Sequence, residues 1–151
     1  MTKIYSYKKF ITPEITRTLL LPTDENLNFL GTELATIGGT TYVSIPDNAT
    51  LPDNQPIEIK NGITVVTMTD DLKLQIKAVS PHAQLIAQRV IEKIRDRYTV
   101  DDELYLARIG VGQSSGIYTP APSELQQLAD YAVYVEDVRQ WGRDQRALLG
   151  L

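Results

Sequence analysis

The spacing of apolar residues changes once along this chain, at Ser80-Pro81, and that change limits the possible folds more than any other feature. Serine followed by proline reads as a helix N-cap with proline at the first helical position, where an N–H would have no intrahelical partner anyway. Beyond it, Ala83, Ala87, Val90, Ile94 and Tyr98 recur at helical spacing, with Ile86 and Ile91 widening the stripe. Thr99 is expected to cap a second helix. Asp101, Asp102 and Glu103 lie in its first turn, where the helix dipole favours negative charge; Arg108 lies in its last turn and Gly110 ends it. Ser123-Glu-Leu-Gln126 has the form of a capping box and opens the longest helix, which carries Leu128, Tyr131, Ala132, Val135, Val138 and Gly142 on one face. Gly150 followed by Leu151 reads as a C-cap with a trailing apolar contact.

Before residue 80 the signals are those of hairpins. Gly38-Gly39, Asn61-Gly62 and Asp70-Asp71 each separate two β-prone runs, and two-residue turns need the positive φ that Gly, Asn and Asp tolerate. In the last run Leu72, Leu74 and Ile76 alternate with Lys73, Gln75 and Lys77, as in an antiparallel strand with one wet side. IPDNATLPDNQP reads as an irregular crossover. IYSYKKFI reads as a strand, while Thr12-Pro13 leaves open a short helix through Leu20. The expectation is α+β: an N-terminal antiparallel β-meander over residues 1–79, then three C-terminal helices over residues 80–151, the last one longest.

With 151 residues the chain is long enough to bury a core. Residues 1–79 carry 7 basic and 9 acidic groups, and residues 80–151 carry 8 and 10. Neither half is a basic arm, so no nucleic-acid partner is expected. No cysteine is present, which excludes disulfides, thiol catalysis and zinc–thiolate sites. MTKIYSYKKF has no apolar run after its lysines and is not expected to be a signal peptide, and no segment has the roughly 18 apolar residues of a membrane span.

GQSSG, residues 112–116, matches the G-x-S-x-G pattern around a serine nucleophile, with Ser114 in the central position. That elbow needs a strand before the serine and a helix directly after it. Here a helix is expected before it, and Thr119-Pro120-Ala121-Pro122 follows. His82 is the sole histidine and precedes Ser114, the reverse of the order in that fold. The stretch therefore reads as a flexible Gly/Ser loop. Gly110, Gly112 and Gly116 do not form a dinucleotide fingerprint. Asp101-Asp102-Glu103 reads as dipole complementation, and the Asp-Asn pairs at 47–48 and 53–54 read as turn chemistry. No catalytic residue, cofactor or metal is expected. Arg89, Lys93, Arg95 and Arg97 make helix 81–97 basic, with Glu92 and Asp96 interspersed. A helix-turn-helix regulator is the alternative from a different class, disfavoured because its recognition helix would open with three acids.

The aromatic residues point to a protein partner. Tyr134 and Trp141, seven apart, share one side of the last helix, about a quarter-turn from the stripe through Leu128, Val135 and Val138. They either pack within the domain or anchor a partner, as Tyr and Trp often do. Tyr118 adds a third aromatic at the end of GVGQSSGIY. TTYVSIPDNATLPDNQPIEI, followed by IEKIRDRYTVDDELYLARI and YAVYVEDVRQWGRDQRALLGL, resembles the tail-fibre assembly and fibre-associated proteins of tailed bacteriophages. The resemblance covers roughly residues 40–151 in style and order, and Trp141 follows Tyr131 and Tyr134 where that family commonly has its Trp first. It implies a non-enzymatic protein in the host cytoplasm during assembly or retained in the virion tail. The implied partner is a tail fibre or baseplate protein, or a second copy of the chain; a baseplate or fibre-connector subunit without a chaperone role is the variant of this reading.

Overall fold

The computed structural model describes residues 2–151. It is α+β, with six strands and five helices among the described residues. The chain divides into two compact units. One comprises the chain up to Leu85 together with Gln145–Leu151, and the other is Ile86–Asp144.

The first unit is built on an antiparallel sheet of four strands: β1 (Thr2–Tyr7), β4 (Thr32–Ile37), β5 (Thr40–Pro46) and β6 (Thr64–Val66), in the order β4-β5-β1-β6. The expected meander is corrected here, because the first strand is central. Only β4 and β5 form the foreseen hairpin, across Gly38 and Gly39, whose φ values of 56° and 81° need glycine. Register puts Tyr5 and Tyr7 opposite Val43 and Thr41 on one face, and Ile4 opposite Ser44 on the other. Both faces are covered. Tyr7, Val43 and Ile45 join Leu19, Ala49 and Ile59 in one core; Ile4, Leu34, Ala35 and Ile76 make a second, closed by Leu149 and Leu151. A sheet buried on both sides has no consistently wet face.

The hairpin at Asn61-Gly62 does not form. Ile57–Lys60 is a one-turn helix, α1, which buries Ile59 in the first core, and the Gly62 N–H closes it by donating to the Ile59 carbonyl at 2.8 Å. The strand over residues 72–77 is likewise replaced, by helix α2 (Asp70–Val79). Thr69 is its N-cap, accepting from the Leu72 N–H at 3.2 Å, with Asp70 and Asp71 in the first turn and Lys77 in the last. Leu72 and Ile76 are four apart, so they share a face in a strand and in a helix alike; Leu74, which only the strand would bury with them, is exposed. The helix left open at Thr12-Pro13 is instead a small hairpin, β2 (Phe10–Thr12) and β3 (Ile15–Thr16), with Thr12 Oγ1 accepting from Ile15 N at 3.1 Å. The segment between β5 and α1 is irregular, as expected.

Helices α3 (Pro81–Arg97), α4 (Val100–Ser115) and α5 (Pro122–Leu148) follow, the last being the longest. Ser80 is fully buried and caps α3 as foreseen, while its own N–H ends α2 on the Ile76 carbonyl. The α3 stripe is narrower than expected: Ala83 and Ile86 are buried, whereas Ala87 and Ile91 are exposed. In α5, Ala132 lies outside the buried face, which runs through Val135, Val138 and Gly142. Gly150 takes φ 77°, the Leu151 N–H returns to the Arg146 carbonyl, and Leu149 and Leu151 reach the second core, so the foreseen C-cap forms.

Candidate functional site

The unit Ile86–Asp144 holds Tyr118, Tyr134 and Trp141. Thr99 caps α4 with a reciprocal capping box: Thr99 Oγ1 accepts from Asp102 N at 3.1 Å, and Asp102 Oδ2 accepts from Thr99 N at 2.8 Å. The Thr99 backbone N–H, and then its hydroxyl, hold the Asp102 carboxyl below the usual aspartate range. Glu103 pairs with Arg95 and accepts from the Tyr131 hydroxyl at 2.7 Å, so the acidic triplet serves separate contacts. Among the described residues no group of three or more His, Asp or Glu side chains is placed to hold a metal.

Helix α4 does not end at Gly110. It continues to Ser115 and stops at Gly116, whose φ of 71° and N–H to the Gln113 carbonyl form the C-cap. The Gly/Ser loop foreseen at GVGQSSG is therefore mostly helix. The hydroxyls of Ser114 and Ser115 both donate to the Val111 carbonyl, at 3.0 and 2.8 Å, a bond open to serine in a last helical turn. Ser114 has helix before it, not the strand of a nucleophile elbow.

Chain return after Gly116 is fixed by a carboxylate. Glu124 Oε2 accepts from the Ala121 N–H at 2.8 Å and the Tyr118 hydroxyl at 2.7 Å, and Glu124 Oε1 accepts from the Tyr105 hydroxyl at 2.9 Å. Glu124 is thus the third residue of α5 reaching back to its N-cap, so the helix opens at Pro122 and not with Ser123 as cap. Its carboxyl lies below the usual glutamate range, first because of the Tyr118 hydroxyl, then the Ala121 N–H and the Tyr105 hydroxyl. The same bonds raise both phenols. Gly112 is required by this closure: a Cβ there would fall 2.8 Å from the Tyr118 Cβ.

Tyr118, foreseen as a partner residue, is exposed at the edge of a mainly apolar groove of about 370 Å³ lined by Tyr105, Ile109, Gly112 and Ile117, with Arg108 and Glu124 as its charged members. Tyr134 and Trp141 are half-buried and engaged within their own unit. The Tyr134 hydroxyl donates to the Lys93 carbonyl at 2.6 Å, its ring lies 5.7 Å from Tyr98, and the Arg97 guanidinium sits 4.7 Å above it. The Lys93 ammonium lies 4.9 Å from the Trp141 ring centre. Tyr98 meets Tyr131 edge to face at 5.0 Å. Three of the four basic side chains of α3 are thereby occupied by Trp141, Tyr134 and Glu103.

Tyr105 and Glu124 were not among the expected site residues. The three-residue spacing from Ala121 to Glu124 would have been a signal for the second; the first had none. Among the described residues, no helix is long and apolar enough to cross a membrane. No family model, no curated protein and no solved structure matches this chain.

Proposed function

We propose that this chain is a non-enzymatic accessory protein of a bacteriophage tail that binds a tail-fibre or baseplate protein, as an assembly chaperone or as a fibre-associated subunit of the virion. The phage setting is supported by the sequence resemblance over residues 40–151. The binding role is supported by one observation: the open groove at the end of α4, where Ile117 and Tyr118 stand exposed beside a wall of Tyr105 and Ile109. Apolar and aromatic side chains gathered around a concave surface are a common anchor for a protein partner. The carboxylate of Glu124 holds that wall in shape before any partner arrives, which limits the ordering cost on binding. Tyr134 and Trp141 remain partly exposed in the same unit, against α3.

Co-purification of the chain with the tail-fibre and baseplate proteins of its phage tests this reading. Binding to one of them is expected, and Ile117→Asp should weaken it by about 2 kcal/mol or more while leaving thermal unfolding nearly unchanged. Absence of binding to both, together with absence of the chain from assembling tails by mass spectrometry, would overturn it.

A further inference from the structure

Helix α4 carries two apolar stripes. Leu106 and Ile109 point inward and are buried. Val100, Leu104, Ala107 and Val111 form a second stripe that faces outward, with Val100 53%, Leu104 55% and Val111 67% exposed. Their spacing is four, three and four residues, the alternation of a two-helix seam. A helix apolar on opposite sides is complete only when both sides are covered. Tyr105, on the wall of the Tyr118 groove, lies more than about 100° around the helix from the centre of this stripe, and the two surfaces adjoin along Arg108, Gly112 and Ile117.

The charges beside the stripe identify its occupant. Asp101 and Arg108 flank it on the same side, one heptad apart. Neither side chain has an ion-pair or hydrogen-bond partner among the described residues. Arg108 is the sole charge from Leu104 to Ile117, whereas the N-terminal turn holds Asp101, Asp102 and Glu103. The helix is therefore acidic at one end and basic towards the other. An antiparallel copy of the same helix would satisfy both ends at once. In that register Val100 meets Val111 of the second copy, Leu104 meets its Ala107, and Asp101 comes within reach of its Arg108, twice by symmetry. The small Ala107 opposite Leu104 lets the two helices approach. At its end the stripe opens into a shallow groove of about 410 Å³ lined by Leu104, Ala107, Val111 and Ile117 together with Arg108 and Gly112, which receives Val100 of the second copy.

We infer that the outward face of α4 is a two-fold, antiparallel self-association surface. A seam confined to residues 100–111 is short, so the dimer is a weak one.

Sedimentation velocity across a concentration series tests this. The parent chain should pass from monomer to dimer, and Leu104→Glu should weaken association at least about a hundredfold with unchanged circular dichroism, because a charge would be buried twice at the seam. Asp101→Arg and Arg108→Asp should each weaken it about tenfold by setting like charges opposite, and the double variant should restore it. Thermal unfolding of each variant separates this from damage to the helix. A parent that stays monomeric at about 1 mM, or association indifferent to Leu104→Glu, overturns the inference. Association lost in Leu104→Glu but not restored by the double swap overturns the antiparallel register. Leu104 lies outside the Tyr118 groove, so co-purification of Leu104→Glu with tail proteins separates failure of this inference from failure of the proposed function.

Discussion

The sheet-based unit and the helical unit are held together in different ways. In the first, two dry cores sandwich one sheet, and Ile45 and Ile76 have no exposed surface at all. In the second, few side chains are fully buried, and tyrosines take over: four phenol hydroxyls bind a carboxylate or a backbone carbonyl, and two cations lie over aromatic rings. Such contacts keep each ring partly wet and are directional, so this unit gains definition more than buried area. Both units leave apolar side chains exposed, Phe29 and Ile57 in the first and Val111 and Ile117 in the second, so the contrast lies in how their interiors are built.

The largest test of that contrast is Ile45→Ala. Truncating a side chain with no exposure in a packed core should cost about 3 to 4 kcal/mol, measured by urea unfolding. A loss below about 1 kcal/mol would mean that the first core is no tighter than the helical unit.

A paired glycine experiment is next in size. Gly112→Ala should destabilise by about 1 kcal/mol, because the new methyl group meets the Tyr118 Cβ at 2.8 Å and the clash outweighs the gain in helix propensity. Gly110→Ala should stabilise by roughly 0.5 to 1 kcal/mol, since its Cβ would meet only Leu128, at 3.7 Å. Equal effects at the two positions would remove the packing role assigned to Tyr118.

The smallest expected effect is one of pH. The Glu124 carboxyl is depressed in the fold, so the stability it contributes is complete above the ordinary glutamate value of 4.5 and is lost as pH falls through its lower folded value. The two raised phenols contribute stability that is complete below their ordinary value of 10.0 and is lost as pH rises through their folded values. Hydrogen-exchange protection at Tyr118 and Ala121, taken relative to the intrinsic exchange rate at each pH, should therefore fall on the acid side, and Glu124→Gln should abolish that dependence. Protection indifferent to acid in the parent would show that the carboxylate does not hold the turn.

The α+β class, the Gly38-Gly39 hairpin and the caps at Ser80, Thr99 and Gly150 were legible because each rests on local chemistry that nothing distant opposes. Asn61-Gly62 misled because a two-residue turn signal serves equally to end a short helix: Ile59 is buried from α1, and the Gly62 N–H closes that turn on the Ile59 carbonyl. Residues 72–77 misled because apolar residues two and four apart fit a strand, while the pair four apart fits a helix as well, and the Thr69 cap together with the charged ends decides between them. The end of α4 was missed because Gly110 was read as a stop, although a glycine within a helix costs only about 1 kcal/mol. Cutting the helix there also hid the outer stripe, since Val111 then falls outside it. Tyr118 could be marked from its sequence, but the carboxylate that positions it comes from the next helix and could be found only through the fold.

Helix α5 begins in one unit and ends in the other, and the last residues, Leu149 and Leu151, complete a core begun by Ile4. A ribosome delivers these pieces in the opposite order to their need. When β1 and its neighbours have emerged, Ile4, Leu34 and Ile76 still lack the side chains that close them in, and they wait while more than fifty residues of the helical unit are synthesised. During that interval the part of this core that Leu149 and Leu151 cover is open to solvent, so the turn at residues 149–151 is the latch on which the first strand depends.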